Sequence, residues 1–132
     1  MVVRISSLLQ AQMLAEAAAT PEREVCGLLF GVADEEVTTI RPCANVAADP
    51  AKTFEIDPAS LIAAHKAQRS GGPVLIGCYH SHPNGAGEPS LRDRKAAGGK
   101  QRLWLIIADN RIRAWILEGD GTYEEVGIVP AY

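Results

Sequence analysis

The chain has 132 residues, 47% of them hydrophobic and 22% charged, with a formal net charge of −3 and a pI near 5.6. That length supports one domain, residues 1–132, with a real core but no room for two ordinary ones, and the composition is that of a soluble globular protein. The acidic balance offers no general attraction to phosphate backbones, so nucleic acid is not expected as the main partner. No apolar run approaches membrane-spanning length, and no basic segment followed by an apolar stretch opens the chain. No membrane partner is therefore expected, and the cytoplasm is the expected compartment. Cys26, Cys43 and Cys78 include no Cys-x-x-Cys pair. This argues against a disulfide framework or a zinc ribbon and for reduced thiols, most simply buried ones.

Val2 to Ile5 reads as a short first strand. Ser6 or Ser7 caps a helix running to about Ala19, where Leu9, Met13 and Ala17 recur at i, i+4 spacing beside Leu14 and Ala18. Such a stripe reads as core-facing, and Thr20-Pro21 ends the helix. Glu24 to Val32 reads as a central strand, with Gly27 and Gly31 marking a bulge or a close backbone approach. Glu24 stands at the mouth of that strand, where position alone suggests a solvated glutamate. Glu22 shares its face if the strand extends that far. Asp34-Glu35 turns the chain into a second strand, Glu36 to Pro42, making a hairpin.

Residues 43–52 lack periodicity and read as a loop, followed by a short alternating strand from Thr53 to Ile56. Asp57-Pro58 is a helix start, and the helix runs to about Arg69. His65 on that helix has no histidine or acidic residue four positions away, so it reads as a surface residue. After Gly71-Gly72-Pro73, the apolar run Val74 to Tyr79 reads as a buried strand. Later come Leu103 to Ala108, a tight turn at Asp109-Asn110, Arg111 to Leu117, a turn at Gly119-Asp120-Gly121, and a last strand from Thr122 to Val129. A mixed sheet with helices packed against it, an α+β arrangement, is the expected fold class.

The chemistry concentrates between residues 80 and 93. Side chains two apart on a strand share a face, so His80 and His82 can aim at one point. Pro83 ends the strand, a loop containing Asn84-Gly85 and Gly87 follows, and Ser90 can cap a helix through about Ala97, ended by Gly98-Gly99. Asp93 sits at the third position of that helix. Two imidazoles and one carboxylate are the ligand set of a catalytic zinc site with one position left for water. They also form the facial triad of non-haem iron oxygenases. The bland alternatives are a satisfied histidine pair at a strand end and an ordinary capping box. Cys78 shares the strand face, but it lies about 13 Å along the strand from His82, too far for a fourth ligand.

These residues, with Pro-Glu-Arg-Glu-Val-Cys-Gly-Leu-Leu-Phe-Gly at 21–31, resemble the JAMM (MPN+) metalloprotease family. Its pattern is a glutamate just before a Gly-Leu-rich strand, then His-Ser-His-Pro, then Ser-x-x-Asp. The resemblance spans nearly the whole chain and favours zinc over iron. It implies a three-layer α/β/α sandwich like that of cytidine deaminases and one Zn²⁺ ion held by His80, His82 and Asp93. Glu24, rather than Glu22, is implied as general base toward zinc-bound water. Ser90 is implied as an oxyanion donor, although its hydroxyl can equally be committed to capping the helix. The implied activity is hydrolysis of a peptide or isopeptide bond at the C-terminal tail of a ubiquitin-like or sulfur-carrier protein. The tail is expected to add alongside an exposed strand edge. A non-catalytic module of the same fold, docking ubiquitin-fold proteins without cutting them, is the alternative.

Overall fold

Three strands with few polar side chains set the architecture: β2 (Cys26–Val32), β4 (Leu75–Ser81) and β5 (Leu103–Ala108). Every residue of β4 and β5 is buried, which requires cover on both faces of the sheet. The computed structural model describes residues 1–91, 93 and 102–131. β4 runs antiparallel to β2, with Cys26 opposite His80, and parallel to β5, with His80 opposite Ile106.

The flanking strands are β1 (Val2–Ile5), β3 (Glu36–Cys43), β6 (Arg111–Leu117) and β7 (Tyr123–Val129), and the helices are α1 (Ser7–Ala19) and α2 (Pro58–Arg69). Successive residues on the central strands enter different clusters, as the period of two demands. Leu29, Tyr79 and Leu105 pack with Met13 of α1, whereas Leu28, Cys78 and Trp104 pack with Ala64 of α2. α1 starts where the hydroxyl of Ser6 accepts from the Leu9 N–H at 3.2 Å. α2 starts where the Asp57 carboxylate accepts from the Ala59 N–H at 3.0 Å, ahead of a helix with Pro58 in its first turn.

The mixed sheet and the α+β composition match the sequence-based expectation. The sheet also closes on itself in the order β1-β3-β2-β4-β5-β6-β7, because β1 pairs in parallel with β3 on one side and β7 on the other. Closure was no part of the expected layering, since a four-residue strand carries no sequence sign of which neighbours it takes. Thr53 to Ile56 is not a strand: only an isolated bridge, Asn45 to Ile56, forms there. Its backbone is partly spent on a side chain instead, with Thr53 O and Glu55 N both bonded to Asn45. β2 begins at Cys26, leaving Glu24 ahead of the ladder, and β4 ends at Ser81, with His82 one residue beyond. Asp109 and Asn110 both adopt positive φ, 53° and 58°, in the two-residue turn between β5 and β6, as such a hairpin requires. Leu91 and Asp93 are helical; the remainder of the helix expected to about Ala97, and Gly98-Gly99, lie outside the described residues.

Close strand approach makes Gly77 irreplaceable, because a Cβ there would collide with the Leu103 carbonyl oxygen of β5. The obstacle is backbone and cannot rotate away. Gly77→Ala should therefore destabilise the protein by about 1–3 kcal/mol, the usual scale of overpacking, seen in urea unfolding as a lower midpoint with an unchanged slope.

Candidate metal centre and active-site cleft

β4 delivers His80 into the interior with no solvent exposure, and His82 follows just past the strand end. The His82 N–H still donates to the Ile107 carbonyl at 2.8 Å, so its main chain remains fixed to β5. The two Nε2 atoms lie 2.9 Å apart. The Asp93 Oδ2 atom stands 3.1 Å from the first and 3.0 Å from the second. Tetrahedral ligands about 2.0–2.1 Å from a zinc ion stand roughly 3.3 Å from one another. The observed triangle is a slightly tighter version of that face.

The donor set fits a metal chemically as well. The Nδ1–H of His82 donates to the Ala86 carbonyl at 2.7 Å, which leaves the Nε2 lone pair of the neutral ring directed into the triangle. The Nδ1 of His80 has no hydrogen-bond partner among the described residues. That ring is held by packing: Phe54 stacks on it at 4.2 Å and Trp104 meets it edge-on at 5.6 Å. Glu24, 5% exposed, completes a buried group whose ligand atoms, one from each of Glu24, His80, His82 and Asp93, lie within 4.8 Å of one another. The cluster fits the zinc-site pattern of the JAMM family.

Burial and pairing push the titrating groups apart. For Asp93, burial would raise the pKa, but hydrogen bonds with both imidazoles, reinforced by the Ser90 N–H, hold the carboxyl well below the usual range. Burial lowers His80 below its ordinary value in spite of the Asp93 contact. Burial would lower His82 too, yet the Asp93 and Ala86 bonds outweigh it and leave the ring raised. Cys26 is pushed up to about 12 by burial, so that thiol is no nucleophile.

The local sequence explains how the parts are placed. Ser90 and Asp93 form the reciprocal cap: the Ser90 N–H donates to Asp93 Oδ2 at 2.8 Å, and the Asp93 N–H donates to the Ser90 hydroxyl at 3.0 Å. The hydroxyl oxygen is thus used as an acceptor while its own hydrogen stays available. Glu24, Ser90 and His82 line one open cleft of about 630 Å³ with Ala51, Lys52, Gly85 and Ala86. Glu22 is exposed on the surface, as is His65. Cys78 packs in the core between Leu28 and Trp104.

Three contributors escape a reading by periodicity. Ser81 sits between the two histidines, and its hydroxyl accepts from the Val25 N–H at 2.9 Å while its own N–H donates to the Val25 carbonyl at 3.0 Å. The residue after Glu24 is thereby clamped to β4. Phe54 belongs to a stretch whose alternation is visible, but nothing in it names His80 as its partner. Asn45, whose amide reaches the Glu24 carbonyl at 2.9 Å, lies in the aperiodic loop, where an Asx residue is only a general sign of a turn.

The chain belongs to the prokaryotic homologs of the JAB domain, whose family model matches residues 6–118. It is 40% identical over 106 residues to a desampylase of Haloferax volcanii, covering 79% of this chain and 76% of that one. A probable TtuB-protein conjugate cleaving protease of Thermus thermophilus is 36% identical over 108 residues, covering 81% and 68%. Among solved structures, the solution structure of protein DSY2949 from Desulfitobacterium hafniense superposes with a TM-score of 0.82 at 29% identity, over 99% of this chain and 93% of that one.

In metal-free protein the raised His82 contributes stability that is fully present below its unfolded value of about 6.5 and is lost as pH rises through its higher folded value. Asp93 is the side chain that raises it most, with Glu24 adding to the effect. The gap in unfolding free energy between wild type and Asp93→Asn should therefore narrow as pH rises above about 6.5 in urea titrations. Histidine NMR should show the His82 pKa falling in the variant.

Proposed function

We propose that this protein is a zinc-dependent metallopeptidase that hydrolyses a peptide or isopeptide bond at the C-terminal tail of a ubiquitin-like or sulfur-carrier protein. One observation carries the reading: the converging Nε2, Nε2 and Oδ2 atoms of His80, His82 and Asp93, with the Glu24 carboxylate beside them. The names of the relatives support the substrate class, since they act as a desampylase and as a probable TtuB-conjugate protease. His80, His82 and Asp93 are the proposed ligands. A zinc ion held there would act as a Lewis acid and would lower the pKa of a bound water to about 7.

The chain's own residues do the rest. Glu24 accepts the proton of the attacking water at its carboxylate and passes it to the departing amine. The Ser90 hydroxyl, held by its acceptor bond to the Asp93 N–H, turns its hydrogen toward the developing oxyanion in the cleft. On the side away from β2, β3 pairs among the described residues only through Glu36 and Val37 with β1. This leaves residues 38–43 as an edge alongside which a substrate tail can add, interrupted where Pro42 lacks an N–H.

The same reading takes residues 1–132 as one domain. It takes the curled sheet, with Met13 of α1 and Ala64 of α2 buried in separate clusters, as α/β/α layering of the cytidine deaminase kind. The cytoplasm is the proposed compartment, in keeping with three free cysteines.

Incubation with a ubiquitin-fold carrier bearing a C-terminal extension, with and without a chelator, tests the activity. Mass spectrometry should show loss of the extension that the chelator abolishes and zinc restores. An intact carrier that nonetheless binds would instead identify a non-catalytic docking module. Glu24→Gln should keep one zinc per chain and lose at least a hundredfold in kcat, whereas His82→Ala should fail to hold stoichiometric zinc by elemental analysis. Ser90→Ala should lose about a hundredfold to a thousandfold in kcat, the scale of one oxyanion donor. Undiminished turnover would leave Ser90 with capping alone.

A further inference from the structure

We propose that Asn45 is a positioning residue that fixes the direction of the Glu24 carboxylate, an inference that rests on Glu24 being the base. Glu24 precedes β2, which begins at Cys26, and so lies outside the strand's ladder. Both of its main-chain polar groups are tied instead to the loop between β3 and α2. The Glu24 N–H donates to the Pro50 carbonyl at 2.8 Å, and the Glu24 carbonyl accepts from Asn45 Nδ2 at 2.9 Å. With these two bonds made, the peptide on either side of Glu24 cannot turn without breaking one of them.

Asn45 reaches Glu24 because the same amide organises the loop. Its Nδ2 also donates to the Thr53 carbonyl at 3.1 Å, while its Oδ1 accepts from the Ala47 N–H at 3.0 Å and the Glu55 N–H at 3.1 Å. Two donations and two acceptances from one short side chain exhaust what a primary amide offers. Aspartate has the shape without the donors, and glutamine is one methylene too long. The loop so stitched carries Phe54, stacked on the His80 ring, and Ala51 and Lys52, which line the cleft. Asn45 thus ties the segment bearing the base to a loop already seated against a ligand ring. Ser81 Oγ on β4 accepts from the Val25 N–H at 2.9 Å, the other end of the same planar peptide unit, so Asn45 and Ser81 hold that peptide from opposite sides. Displacement of a proton acceptor by about 1 Å costs on the order of a hundredfold in rate.

The test uses the zinc-loaded full chain and the extended ubiquitin-fold carrier. Asn45→Ala and the isosteric Asn45→Asp should each keep one zinc per chain and lose at least tenfold in kcat. Asn45→Asp loses the donations to the Thr53 and Glu24 carbonyls but keeps the two acceptor bonds from Ala47 and Glu55, so its KM should stay within threefold of wild type. In a Glu24→Gln background, adding Asn45→Asp should cost less than a further twofold, because the residue acts through a carboxylate that is no longer there. The inference is overturned by a kcat within twofold of wild type, by a change in KM alone, or by penalties that multiply in the double variant. Should Asn45→Ala fail to fold, Asn45→Asp decides. Should Glu24→Gln leave no measurable product, the division between kcat and KM decides. Full turnover by Glu24→Gln alone would remove the base itself, a result distinct from an inactive Glu24→Gln beside a fully active Asn45→Asp, which removes only the role of Asn45.

Discussion

Asp93 is a carboxylate with 2% exposure, and the site is arranged around what such a group demands. An isolated buried charge costs several kcal/mol, and the cost is met only where partners surround it. Here two imidazoles and a backbone N–H do so, each within 3.1 Å. The imidazoles are buried themselves and stand close enough that two protons between their Nε2 atoms would repel. Neutral histidines and an ionised aspartate are the protonation states a divalent cation requires of its ligands. Burial that lowers His80 and hydrogen bonds that lower Asp93 therefore push both residues toward the metal-binding form.

An arrangement of this kind holds its geometry only on a rigid support. β4 has all seven of its residues buried and neighbours on both sides, so the ladder defines His80 completely. Its alternating side chains pin it to two separate clusters, one capped by α1 and the other by α2. The Tyr79 hydroxyl donates to Glu16 of α1 at 2.7 Å, which gives the one polar end of that buried ring a partner. His82 lies beyond the last strand residue, where precision would be expected to fall. Its N–H bond to Ile107 and its ring bond to Ala86 restore it.

Where local signals were self-sufficient, the fold was legible from the chain. Leu103–Ala108 is a continuous apolar run bounded by turn residues, and β5 has those limits. Asp57-Pro58 combines a cap with a first-turn proline, and α2 starts there. The convergence of His80, His82 and Asp93 was legible because they occupy one contiguous stretch whose spacing reflects a strand end, a loop and a helix start. Closure of the sheet was not, because which partners β1 takes depends on the curvature of six other strands. The alternation of Thr53 to Ile56 was misread for a related reason. It places Phe54 against His80 and Ile56 in the core, while its backbone answers to the side chain of Asn45. Bonds from side chain to main chain across long separations have no period, so no pattern in the sequence announces them.

This division has a consequence for how the site works. The residues that can hold a cation come from 80–93, whereas the carboxylate beside them comes from a segment held by Ser81 on one side and by the loop on the other. On the proposed reading, affinity for the ion and alignment of the acid thus reside in different parts of the chain. The loop between β3 and α2 lacks regular structure, yet it touches the His80 ring through Phe54 and the Glu24 carbonyl through Asn45. Changes within it can shift the acid relative to the ligands by tenths of an ångström while leaving the sheet intact. A strand end and a helix start thus hold the His80–His82–Asp93 cluster, while the loop meets both that cluster and the Glu24 peptide without belonging to the sheet.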